Sequence, residues 1–150
     1  MELRKKIQID IKEAMKSGDA NRRDVLRMLD SMIKNTEIEK GKREEGLNDD
    51  EVVELVVRSI KQRKDSMEQF SAGGREDLAQ KEAEEVKILI EYLPEQISED
   101  DLRQIVENEI ENIGAQSKAD MGKVMSAVMV KVKGKAEGGL VKKIVEEKLQ

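Results

Sequence analysis

Residues 117–149 read SKADMGKVMSAVMVKVKGKAEGGLVKKIVEEKL, and their spacing decides the fold. Met121, Val124, Met125, Val128, Met129 and Val132 recur three and four residues apart, the period of an α-helix. KGKAEGG interrupts the stripe, and Leu140, Val141, Ile144, Val145 and Leu149 resume it. The spacing predicts two helices joined by a basic, glycine-marked corner. From Lys118 to Lys143, seven lysines stand against Asp120 and Glu137, a local net charge of +5 in a chain of −5.

The same period runs upstream. Ser98 and the acids Glu99, Asp100 and Asp101 form a helix start, because a hydroxyl can cap the first N–H groups and acids suit the positive end of the dipole. Leu102, Ile105, Val106, Ile110 and Ile113 follow, with only Glu109 breaking the stripe, and Gly114 closes the helix. Ser117 to Asp120 repeats the capping pattern, so the C-terminal part is predicted as three helices. Pro94, the only proline, must stop a preceding helix near Leu93, which puts a domain boundary between residues 1–93 and 95–150.

Four helices are predicted before that boundary. The first carries Leu3, Ile7, Ile11 and Met15 and ends at Gly18; the second carries Val25, Met28, Leu29, Met32 and Ile33. A polar connection with Gly41 and Gly46 leads to Asn48 or Asp49. The third helix then carries Val52, Val53, Val56, Val57, Ile60, Met67 and Phe70, and the fourth Leu78, Ala79, Ala83, Val86, Leu89, Ile90 and Leu93. The β-branched run EVVELVVRSI lacks strict alternation and opens on acids, which favours helix over strand. The expected fold is therefore all-α, a bundle of about four helices followed by a small three-helix domain.

Composition narrows the chemistry. The chain is 37% hydrophobic and 41% charged, which suits slender helices that each bury one face. With no Cys and no His it lacks thiolate chemistry, the usual general base and the commonest metal ligands. No catalytic residue, metal or cofactor is assigned. No apolar run approaches the roughly 18 residues of a membrane span, and Asp10 and Glu13 break the place of a signal h-region, so a cytoplasmic protein without membrane association is expected.

Two basic clusters are candidate contact surfaces. The first is the corner, with Lys118, Lys123, Lys131, Lys133, Gly134, Lys135, Gly138, Gly139, Lys142 and Lys143. Lysines can meet phosphates, and glycines let a backbone come close to a sugar-phosphate chain. The plainer reading is a solvated helix corner. The second is Arg58, Lys61, Arg63, Lys64 and Arg75, where pairing with nearby carboxylates is an equal alternative. With one Phe and one Tyr the chain has little surface for stacking single-stranded bases, so structured RNA fits better than single strands. Paired acids such as Glu84-Glu85 and Asp100-Asp101 read as helix starts and solvated faces.

KQRKDSMEQFSAGGREDL (61–78), EYLPEQ (91–96) and KADMGKVMSAVMVKVKGKAEGGLVKKIV (118–145) together resemble the YqeY family. The family is linked to the C-terminal tail of the B subunit of the tRNA-dependent amidotransferase, a helical tRNA-binding module. The resemblance places the tail's motif on Gly122-Lys123-Val124, on Lys133-Gly134-Lys135-Ala136, and on Gly138, Gly139 and Val141. Where that tail has Asn-Pro, this chain has Gly138-Gly139. The resemblance implies a non-catalytic tRNA- or RNA-binding accessory protein, even though a carbon–nitrogen ligase label with glutamine as amido donor attaches to the family. The alternative it leaves open is a protein-interaction module docking on an aminoacyl-tRNA synthetase or an amidotransferase complex.

Overall fold

The computed structural model describes residues 2–149. Among them there is no strand, and the fold is all-α. Seven helices follow one another: α1 (Glu2–Ser17), α2 (Ala20–Glu39), α3 (Asp49–Ala72), α4 (Glu76–Ile90), α5 (Glu99–Ile113), α6 (Met121–Val132) and α7 (Gly138–Lys148), with a 3-10 turn at Lys118–Asp120. The chain forms two compact units, Met1–Leu93 and Pro94–Gln150.

In the first unit, Ile7 of α1, Val25, Leu26, Leu29 and Ile33 of α2, Val52, Leu55, Val56 and Ile60 of α3, and Val86 and Leu89 of α4 share one core. Removing each such side chain from water contributes about 1.5–3 kcal/mol. Most of the expected faces are buried, with Ile7, Val25, Leu29, Ile33, Val52, Val56, Ile60, Val86 and Leu89 all inside. Met15, Met28, Val57 and Ile90 depart from them and are exposed, while Leu26 and Leu55 join the core. The expected stripes missed one edge of the apolar arc in α2 and α3, because each of these helices packs against more than one neighbour.

Polar clamps fix the elements. Arg4 of α1 meets Asp30 (2.9 Å) and Glu37 (3.1 Å) of α2. The Tyr92 hydroxyl donates to Asp10 and accepts from Arg22 Nη2 (3.2 Å), while Arg22 Nη1 donates to Glu91 (2.6 Å). Burial pushes the Tyr92 hydroxyl well above its usual range. The connection between α2 and α3 is tied down by Leu47, fully buried in the core. It is also held by Glu51, whose carboxylate accepts from Lys42 Nζ (2.8 Å), Lys40 Nζ (3.3 Å) and Asn48 N (3.0 Å). Asn48 completes a reciprocal cap of α3. Lys42 foremost, then the Asn48 N–H, hold Glu51 down to about 2.

The second unit packs α5, α6 and α7 around Leu102, Val106, Val124, Val128, Val132, Val141, Ile144, Val145 and Leu149. Val124, Val128 and Val132 of α6 sit fully inside, and Met121, Met125 and Met129 pack at the rim. Ser98 caps α5 by accepting from Asp101 N (3.2 Å), and Gly114 ends it with φ 73°, a left-handed conformation that favours glycine.

Candidate nucleic-acid interface

α6 stops at Val132, and the chain turns through Lys133, Gly134 and Lys135. Gly134 is buried with φ 74°, where any side chain would be strained. Lys135 N and Ala136 N both donate to Val132 O, at 2.7 and 3.2 Å. The outward carbonyls of the turn are held by the start of the same unit. Gly134 O accepts from Gln96 Nε2 and Lys135 O from Ile97 N, both at 2.8 Å.

α7 then begins at Gly138 behind Glu137, which provides no side-chain cap. The first N–H groups of α7 therefore lack the side-chain acceptor that Asn48 or Ser98 gives α3 or α5. Gly138 and Gly139 have ordinary negative φ. A Cβ on Gly138 would meet nothing within 4 Å, and one on Gly139 only Glu137 Oε1 at 4.0 Å. Gly122 in the first turn of α6 is equally unconfined. Internal packing does not require glycine at these three positions.

Lys118, Lys123, Lys131, Lys133, Lys135, Lys142 and Lys143 are all exposed. The fold gathers Lys131, Lys133, Lys135, Lys142 and Lys143 around the turn and the first turns of α7. Lys123 lies at the other end of α6, about 15 Å from Lys133 at the rise of an α-helix, and Lys118 in the 3-10 turn before it, so not all seven share one site. Lys131 has a second task. It pairs with Glu109 of α5, whose side chain is only 8% exposed. The acid that broke the α5 stripe is thus a buried partner for a lysine of the corner. Among the described residues no carboxylate pairs with Lys118, Lys123, Lys135 or Lys142.

The second basic cluster is arranged differently. Arg63, 11% exposed, lies between Glu85 and Glu82 (3.3 Å) of α4. Burial pushes the Glu85 carboxyl up although Arg63 opposes it. Arg75 meets Asp77 at 3.1 Å and Lys64 is half-buried, which leaves Arg58 and Lys61 as its exposed cations without a carboxylate partner among the described residues. Sequence reasoning missed Gln96 and Ile97 as supports of the basic turn. The only signal was the EYLPEQ motif, which carries no charge pattern that points to Gly134.

Among the described residues no group of acids could hold a metal ion, and no helix is long and apolar enough to cross a membrane. The sequence profile described as Yqey-like protein matches residues 4–149. Relatives include the Altered inheritance of mitochondria protein 41, mitochondrial, of Candida glabrata, 35% identical over 86 residues, 57% of this chain and 47% of that protein. The Kluyveromyces lactis protein of the same name is 40% identical over 83 residues, 55% of this chain and 44% of that one. The Pyrenophora tritici-repentis protein is 28% identical over 146 residues, 95% of this chain and 78% of that one. The chain spans about half the length of the first two. These relatives are mitochondrial by name, which overturns the expectation of a cytoplasmic protein. That expectation rested on a missing secretory h-region and a missing span, and neither feature bears on residence in a mitochondrion.

Proposed function

Because the chain belongs to the Yqey-like protein family over residues 4–149, we propose that it is a non-catalytic helical accessory protein whose second unit, resembling the amidotransferase tail, binds RNA, tRNA foremost, through its phosphates. The observation that carries this reading is the turn at Lys133–Lys135. Its backbone is fixed from behind by Gln96 and Ile97, and its lysines are exposed beside an uncapped helix start. Such a helix start favours an anion, and adjacent lysines supply the charge that phosphate contacts require. Gly122, Gly138 and Gly139 support the same reading. A glycine within a helix costs about 0.5–1 kcal/mol relative to alanine, and close approach of an external backbone is a use for glycine that internal packing does not provide here.

The test is titration of the full chain into bulk tRNA across a range of salt. Binding that weakens steeply with salt, and is weaker still after Lys133→Ala and Lys135→Ala, supports the reading; no binding at about 50 mM salt refutes it. A second reading makes the corner a docking surface for an acidic protein, such as a synthetase or an amidotransferase subunit. Val130 of α6, 81% exposed on the helix that leads into the basic corner, favours it, because an apolar side chain adds nothing to phosphate binding. Under that reading Val130→Asp abolishes partner capture and leaves tRNA binding at background.

A further inference from the structure

Gln96 is exposed, yet both donors of its amide are engaged. Nε2 donates to Pro94 O and to Gly134 O, each at 2.8 Å. Its neighbour Ile97 donates its N–H to Lys135 O at 2.8 Å. Two successive carbonyls of the basic turn are thus held by residues nearly forty positions upstream. Backbone bonds from Lys135 and Ala136 run back to Val132, so α6 holds one side of the turn and the 96–97 segment the other. The side chains of Lys133 and Lys135 leave from this same backbone. Its conformation therefore sets where their ammonium groups can go.

We propose that Gln96 is a positioning residue for the basic corner: it acts through Gly134 to keep the Lys133–Lys135 turn in its binding-competent conformation. The proposal rests on the RNA reading above. A turn released from Gln96 samples other conformations, and apparent affinity falls by the fraction that remains competent. The lysines are all still present, so the number of phosphates met, and with it the salt slope, is unchanged.

The experiment uses the full chain with Gln96→Met, which keeps the length of the side chain and removes the amide. Ser98→Ala is the control, since it removes the cap of α5 without touching the turn. Bulk tRNA affinity is measured against salt, and backbone hydrogen exchange at Ile97, Lys135 and Ala136. The expected result is binding about fivefold weaker for Gln96→Met at an unchanged salt slope, with faster exchange at those three amides. Ser98→Ala lowers the unfolding temperature and leaves affinity within about twofold. Unaltered exchange in Gln96→Met overturns the proposal, as does an equal loss of affinity in Ser98→Ala, which would reduce Gln96 to general stability. Faster exchange with no tRNA binding by the unaltered protein overturns the RNA reading, and this role for Gln96 with it, while the clasp on Gly134 stands.

Discussion

Arg63 and Lys135 lie in the two most basic stretches of the chain, and their surroundings are opposite. Arg63 is turned inward on α3 and held by Glu82 and Glu85 of the neighbouring helix. Lys135 stands exposed on a turn whose backbone, not its side chain, is anchored. A count of cations treats them alike. What separates them is whether the adjacent helix presents carboxylates at the same level, as α4 does. Lys131 shows the two roles within three residues of Lys133: it sits in the basic corner, yet Glu109 draws it toward α5.

The largest expected effect breaks the inward side of this contrast. Arg63→Met keeps the volume and strands two carboxylates, one of them already desolvated. The expected loss is about 2–4 kcal/mol in urea unfolding, with tRNA affinity unchanged. An equal fall in tRNA affinity would erase the distinction. On the outward side, replacing both Lys133 and Lys135 with Ala should weaken tRNA binding about tenfold and lower the salt slope by about 1.5–2, with the unfolding midpoint unmoved.

Lys131→Ala sharpens the intermediate case. It leaves Glu109 buried and unpaired, and the expected cost is about 1–2 kcal/mol of stability, with a smaller change in tRNA affinity than Lys135→Ala gives. The smallest effect concerns acid. Glu51 is held down to about 2 from an ordinary 4.5, so its contribution is fully present above 4.5 and is lost as pH falls toward 2. Glu51→Gln should therefore show a shallower loss of stability across that window, with the gap to the unaltered protein closing as pH approaches 2.

The helices were legible because every core element repeats apolar residues at the helical period, and the starts at Asn48 and Ser98 carry capping chemistry in their own side chains. The orientation of each buried face was less so. In α2 the expected Val25, Leu29 and Ile33 are buried, but the period admits either Met28 or Leu26 beside them; Leu26 is buried and Met28 exposed because α2 packs on several neighbours, which local spacing cannot rank. In the corner, the lysines could be read from charge alone. Glu109 could be seen as a break in the α5 stripe, but its pairing with Lys131 joins residues on different helices and leaves no local trace. Gln96 was hidden for the same reason: a neutral amide signals nothing until the turn it holds lies beside it.

The salt dependence of bulk tRNA binding by the full chain, with and without Lys133→Ala and Lys135→Ala, tests the central claim most directly. The account predicts a steep linear fall of log affinity with log salt for the unaltered protein and a shallower, weaker line for the double variant. Identical lines for the two proteins, or no binding at about 50 mM salt, would contradict it.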